Sequence, residues 1–596
     1  RGDCGQCCIS SLYPYDTPGN YSYGCGDYTY DVTVTSSGTV NVTSTDDIDN
    51  SQKTYPAVMA KQGRRGPGTI VDANGNVTTI ERDSEGGVAS ATDGITGSEW
   101  LYERTDSEHP MAITKFISPT GSVADVEYEP TSEAASGKIS SVSFGGSTTN
   151  YAYDEYGRLT QYEKSGHVVT YSYPSANKIV ITDTSAEPNM VTEYEYAASS
   201  TTVTRKHATD PTLDQVTVYT FDTTTGKKTD ILSVQTPAGS ASSTYETGSD
   251  GRSRIKTSTG TGGIVTTYTY VNDNLTATEI SGNGYSGSIV TSANTYYPGT
   301  DFLRSSKDQN GNWNYYVRPV NKMWQVDAVK EYTGATEPAD WDQIPNAVEY
   351  TYYGTGESGG LPGQLKIQID KGSSGQADIV TEYRYDAAST FSHSPTETKV
   401  NGVVVSRSYY DAVGRLTEVS DADDERMTYY RYDAQGRQTQ VVYKWLNDIP
   451  DGTPEVYTES YYSCCTLDNS RDTNGNITYY RYDNAGRLTK TWVDGTGQAE
   501  SEPLVEYTYN EFGNQETVIT RSDANTTRTT TYHYDNAGRV VKIDYPGGIV
   551  GSDEFGYNAQ GNLAWKKDGK GVYTIFHYDW LNRLDRYVYR TSLQTI

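Results

Sequence analysis

The side chains able to do chemistry in this chain are few and scattered. There are 6 His, at His109, His167, His207, His393, His533 and His577. No Ser-His-Asp order stands out, no Gly-x-Ser-x-Gly elbow is present, and no glycine-rich phosphate loop precedes a helix. His533 and His577 lie between paired aromatics, in a slot that elsewhere holds Arg431 or Arg481. They read as wall residues rather than catalytic bases. Asp72-Ala-Asn-Gly75-Asn, Asp308-Gln-Asn-Gly311-Asn and Asp472-Thr-Asn-Gly475-Asn resemble the opening of a calcium loop. They lack the later Gly and Glu that close one, and a hairpin turn accounts for them without an ion. Neighbouring carboxylates such as Asp423 and Asp424 fall in loop sequence and give no reason to assign a glycosidase pair. The expectation is a protein without catalytic, cofactor-binding or metal-ligating residues.

The 6 Cys fall in two places. Cys4, Cys7, Cys8 and Cys25 open the chain, and the adjacent pair Cys464 and Cys465 lies far downstream. Disulfides are the expected chemistry in a β-rich, lysine-poor chain, with the pairing undetermined. Asp3-Cys4-Gly-Gln-Cys7-Cys8 has two spacings of a zinc knuckle, but no His follows nearby. The separation of the two groups also allows bridges between chains, joining them head to tail. Arg1-Gly2-Asp3 matches the tripeptide read by integrins, a weak signal at a terminus. Sequons at Asn20, Asn41, Asn76, Asn274, Asn476 and Asn525 would accept N-glycans where that machinery exists.

Composition sets the bounds. The formal net charge is −29, which argues against nucleic-acid binding through a basic surface. No run of apolar residues is long enough to span a membrane as a helix. The chain has 54 Tyr against 8 Phe and 8 Trp, with 57 Gly. Tyr, Thr and Val suit a pleated, half-wet surface, and rows of exposed Tyr could stack on sugars.

One pattern organises these residues. Tyr-x-Tyr-Asp-x-x-Gly-Arg recurs at Tyr151–Arg158, Tyr430–Arg437, Tyr480–Arg487 and Tyr532–Arg539. Its second Tyr acts as a ruler: Tyr153 early, then Tyr385, Tyr410, Tyr432, Tyr482, Tyr509, Tyr534, Tyr557 and Tyr578 in the last third. The spacing is a little over twenty residues, with a degenerate copy expected at Tyr461-Tyr462. Alternation puts both rings on one strand face. The turn residues are Asp154 and Gly157, Asp411 and Gly414, Asp433 and Gly436, Asp483 and Gly486, and Asp535 and Gly538. Asp bonds its own backbone two residues on, and Gly supplies positive φ. Asn-Gly turns fill the other end of each unit, so one repeat is two antiparallel strands and two turns. About 23 units would make roughly 46 strands, far beyond the roughly ten that an open sheet carries without curling. The fold class is therefore all-β: an array of antiparallel hairpins coiled into a spiral shell, a barrel or an elongated solenoid. Tyrosine ladders, with phenol oxygens at water, should carry much of the stability. Pro338–Pro345 is the expected loop or short-helix insertion.

These residues resemble the YD repeats of RHS proteins, teneurins and Tc-toxin shell subunits. The run Asp472-Thr-Asn-Gly475-Asn476-Ile-Thr478-Tyr-Tyr-Arg-Tyr-Asp483 joins both halves of the repeat. The resemblance implies a ribbon of hairpins spiralling into a hollow shell. The family's C-terminal signature, resembling Arg-Tyr-Tyr-Asp-Pro, does not follow Tyr578-Asp579, so the expectation is either a fragment or processed form, or a chain that carries no toxin.

Three segments are expected: a Cys-rich cap with a hairpin over 1–65, degenerate repeats over 66–380, and well-formed repeats over 381–596 with an open strand edge at the end. The leading functional expectation is a secreted, non-enzymatic scaffold at the cell surface or outside the cell, self-associating as a polymer through strand edges or disulfides. The shell portion of an RHS-type toxin enclosing a C-terminal effector is the first alternative, and a glycan-binding adhesin the second.

Overall fold

Each repeat folds as its turn chemistry dictates. Asp433 N–H donates to the Arg437 carbonyl and Gly436 N–H to the Asp433 carbonyl, both at 3.0 Å. Gly436 takes a φ of +83°, which closes a type I turn and reverses the chain. Strand Arg426–Tyr432 then pairs antiparallel with Gln438–Trp445. Asn serves in the last copy, where Asn582 holds a φ of +60°. The computed structural model describes residues 19–592, interrupted at several turns and loops, with side chains described from residue 68 onward.

Strand after strand pairs with its neighbour in sequence, giving one sheet of 47 strands. Gly19–Cys25 pairs with Tyr28–Val34, and the expected hairpin, Tyr28–Val34 with Val40–Asp46, runs through Gln52–Tyr55 into Thr69–Val71. Pairing continues across residue 380, where Leu365–Asp370 joins Ile379–Arg384. The last strand, Leu584–Arg590, pairs with Tyr573–Tyr578. Its other side bears no strand among the described residues. The sheet is therefore open rather than closed into a barrel. Tyr461-Tyr462 is the degenerate copy: Val456–Tyr462 pairs with Leu467–Arg471, and Ser463 N–H donates to the Thr466 carbonyl at 2.9 Å.

Successive turns alternate between two edges of this ribbon. The Asp-x-x-Gly-Arg turns lie on one, called here the motif edge. The opposite edge carries turns such as Asp472–Asn476 and Gly145-Gly146. Hydrogen bonds then link residues 290 to 324 positions apart. The ribbon coils, and its second turn lies on its first.

The wall is thin. Its accessible surface is 33256 Å², against about 21,000 Å² for a compact protein of this mass. Most strand residues are half-buried, because a single sheet covers neither face completely. Buried apolar side chains are few among the described residues; Val441, Val442, Trp492 and Ile575 lie on strands of the last third, and a further group lies near the loops of residues 313–385. That group is Trp313, Ala328, Trp341, Tyr353 and Tyr385. The expected insertion contains a short 3-10 helix, Trp341–Gln343. Trp341 stacks on Tyr315 at 5.0 Å and donates its indole N–H to Glu337 at 2.8 Å.

Candidate functional site

The repeat motif has one mechanical role per residue. In the turn, Asp433 Oδ1 accepts from the backbone N–H of Gln435 and Arg437, and Oδ2 accepts from Arg437 Nε at 2.7 Å. The same Asp–Arg bond recurs at Asp154–Arg158, Asp411–Arg415, Asp483–Arg487 and Asp535–Arg539. Burial pushes the Asp433 carboxyl up, and the Arg437 backbone and guanidinium more than offset this, leaving it below the ordinary carboxylate range. In Asp579 the Arg583 N–H and guanidinium act in the same direction.

Beyond the turn the two strands slip by one residue. Tyr410 pairs with Leu416 while Tyr409 pairs with Glu418, so Thr417 is an extra residue, a β-bulge. The Thr of Gly-Arg-Leu-Thr occupies this bulge. Thr417, Thr439 and Thr489 each donate their hydroxyl across to a strand carbonyl, of Tyr409, Arg431 and Arg481. The carbonyl beside the bulge accepts from the next repeat. Tyr432 Oη donates to Leu416 O at 2.7 Å, Tyr509 to Leu488 O at 2.6 Å and Tyr578 to Leu563 O at 2.9 Å. Tyr153 donates to Ile139 O, Tyr410 to Pro395 O and Tyr534 to Gln515 O. These ladder phenols therefore bond backbone carbonyls, which corrects the expectation that their oxygens rest at water. Burial raises the phenols of Tyr153, Tyr432, Tyr482, Tyr509 and Tyr534.

Arginine completes the link between repeats. Arg415 lies 4.7 Å from the Tyr432 ring centre, Arg437 4.4 Å from Tyr462, and Arg487 4.7 Å from Tyr509. Each such contact is worth about 0.5–2 kcal/mol. The repeat before Tyr482 carries no Arg in its turn, since Ser463–Thr466 replaces Asp-x-x-Gly-Arg.

The motif edge of the second turn also docks on the opposite edge of the first. Ser98 Oγ donates to Ala412 O, and Ser122 Oγ to Ala434 O at 2.7 Å. Gln435 Nε2 donates to Gly145 O, Arg487 Nη2 to Glu187 O at 3.2 Å, and Asn536 Nδ2 to Thr212 O at 3.3 Å. His393 meets Asp93 at 2.7 Å, and His207 meets Glu511 at 2.9 Å. Most of these contacts use turn positions that the repeat leaves variable, namely Ala412, Ala434, Gln435, Glu511 and Asn536; Arg487 is a motif residue that also reaches the seam. Sequence reasoning missed it because no local pattern records a contact 300 residues away. His207 and His393, discounted as catalytic, belong to it. His533, in its expected wall slot, pairs with Asp544 at 2.7 Å.

Open clefts interrupt the seam. One is lined by Gly145, Gly146, Arg431, Arg437, Glu459 and Tyr461, another by Lys164, His167, Ser463, Asp468 and Arg481. Ser463 of the degenerate copy lines both. Among the described residues no cluster of His, Cys, Asp and Glu could hold a metal ion, and no helix is long and apolar enough to cross a membrane. Cys4, Cys7, Cys8, Cys464 and Cys465 lie outside the described residues. Cys25 ends the strand Gly19–Cys25, its side chain likewise outside them.

Residues 410–453 and 509–550 match the family described as RHS Repeat. These segments are RHS repeats. No curated protein matches the chain. Among solved structures, a TcdB2-TccC3-Cdc42 crystal structure is similar at 12% identity and TM-score 0.44, covering 94% of this chain and 30% of that one. The Tc holotoxin pore of Photorhabdus luminescens is similar at 11% identity and TM-score 0.44, covering 97% and 36%. A TcdB2-TccC3 crystal structure gives 12% and 0.42, covering 98% and 40%. The chain thus spans about a third of the length of these proteins. Of the functional classes open from sequence, the RHS repeats favour the shell; they lend nothing to a cysteine-linked polymer or a glycan adhesin.

Proposed function

We propose that this RHS-repeat chain forms part of the wall of a hollow, non-enzymatic shell that encloses a polypeptide cargo outside the cell. The observation that carries this reading is the seam. A ribbon one sheet thick, closed on itself by contacts kept in order from Asp93–His393 to Thr212–Asn536, separates an inside from an outside. About 25 strands per turn, at about 4.8 Å each, give a circumference near 120 Å. That loop leaves room for an unfolded or small folded segment. The turn Asp and Arg and the ladder Tyr of the repeats hold the wall together, which supports a structural reading of the motif.

Small-angle X-ray scattering on the monomer tests the reading. A hollow wall gives a radius of gyration above the ~25 Å of a compact chain of this length, with a distance distribution skewed to long vectors. A value at the compact limit overturns it.

A further inference from the structure

Residues 334–345 show how this wall holds a loose stretch of polypeptide. Ser305 pairs with Thr295, one residue from the ladder ring Tyr296, so it faces away from the ladder. Tyr315 lies opposite Ser305 on the next strand and shares that face. The loose stretch lies over this pair. Trp341 stacks on Tyr315 at 5.0 Å, and Ser305 Oγ donates to Glu337 at 2.8 Å. Lys307 Nζ donates to the Ala335 carbonyl at 2.6 Å and Lys330 Nζ to the Trp341 carbonyl at 2.9 Å. An aromatic side chain anchors the segment, and wall side chains take up the main chain around it.

The same shelf recurs in register along the ribbon. Asn469 opposite Tyr479 and Trp565 opposite Ile575 hold the places of Ser305 and Tyr315. Lys307 opposite Trp313 is matched by Lys567 opposite Tyr573, with the ammonium 5.5 and 6.0 Å from the ring. The cover differs. On Tyr479 it is Trp492 of the next strand, stacked at 5.2 Å. Opposite Ile575 the next strand offers the smaller Val588, and a cleft of about 420 Å³ opens, lined by Trp565, Ile575, His577, Trp580, Gln560 and Asn582. Trp565 packs over Gly556, where any Cβ would collide with the indole, so its ring lies down on the sheet and floors the cleft.

On this recurrence, and resting on the reading of the chain as a wall around polypeptide, we infer that the cleft at Trp565 and Trp580 binds an unfolded segment of the enclosed polypeptide through an aromatic side chain. The bound ring packs on the indoles as Trp341 packs on Tyr315. Gln560 and Asn582 supply amide groups for the main chain beside it. Lys567, paired with Glu554 at 3.0 Å, stands where Lys307 holds a carbonyl. A space of this size takes one large side chain with its flanking main chain, not a folded domain. The contact turns the face opposite the ladder toward the cargo.

Fluorescence anisotropy on the full chain tests this, with a labelled peptide of the sequence of residues 334–345 and the same peptide carrying Trp341→Ala. The first peptide binds, and the Trp341→Ala peptide binds at least about tenfold more weakly. Trp565→Ala and Trp580→Ala in the protein each weaken the first peptide by a similar factor. Trp580 lies on a turn, so its variant keeps the parent melting temperature and carries the test if Trp565→Ala does not fold. A peptide with a benzophenone side chain at the Trp341 position cross-links to residues 556–582. Cross-links confined to residues 303–333, equal binding of the two peptides, or undiminished binding by both protein variants overturns the inference. Scattering reads the shell separately: a compact chain sinks the shell, and a hollow chain that binds neither peptide sinks only the cleft.

Discussion

His207, on the first turn of the coil, and Glu511, 304 residues later (511 − 207), approach to 2.9 Å. His207 Nδ1 accepts the N–H of Asp210 at 3.0 Å, which leaves Nε2 to donate to Glu511. The backbone around Pro211–Leu213 thus fixes the tautomer that spans the seam. Asp214 steadies the same loop, accepting from His207 N–H at 2.8 Å and pairing with Lys206. Replacing His207 with Ala removes a bond to a charged group, worth about 1–3 kcal/mol. Amide exchange should accelerate in residues 206–214 and 507–514 while the strands between repeats stay protected. Uniform acceleration along the whole chain would show that the seam and the hairpins open together.

Arg437 ties three groups at once: Asp433, the ring of Tyr462, and the Ser463 carbonyl at 3.2 Å. Lys keeps the charge and loses the planar fork. Arg437→Lys should lower stability by about 1–2 kcal/mol in chemical denaturation. At Arg583, whose side chain is 71% exposed against 25% for Arg437, the same change should cost almost nothing. Equal effects at the two sites would refute the stacking argument.

Gly486 sits at a φ of +80°, and a Cβ built there meets nothing within 4 Å. The cost of Gly486→Ala is therefore conformational alone, about 1–2 kcal/mol. Gly486→Asn should cost less, since Asn582 already holds the corresponding place in another repeat. Thermal melts of the two variants decide the order.

Buried phenols set an alkaline limit. Burial raises Tyr432, Tyr509, Tyr534 and Tyr557, and pushes Tyr385 up to about 12. A raised folded value means the contribution to stability is complete below the unfolded phenol value, about 10. It is lost as pH rises through the folded values, because the unfolded chain ionises first. Ionisation also removes the donor that Tyr432 offers Leu416. Tyrosinate absorbance and circular dichroism should change together above about pH 10; smooth ionisation with no loss of strand signal would contradict the ladder's role.

Much of this was legible in the chain itself. The spacing of Tyr432, Tyr482 and Tyr534 with their Asp-x-x-Gly turns determined strands, reversals and the direction of each ring, since these are set within a few residues. It also located the broken copy at Tyr461-Tyr462 and the insertion at Trp341. The bulge at Thr417, Thr439 and Thr489 was visible as a repeated Thr, yet its register slip follows only once two strands are paired.

Tertiary structure alone decided where the ribbon meets itself. The contacts of Ser122 with Ala434, and of His207 with Glu511, depend on how small twists and slips accumulate over some two dozen strands. Local side-chain preferences cannot fix that sum, because each turn faces solvent equally well until the next layer of wall arrives.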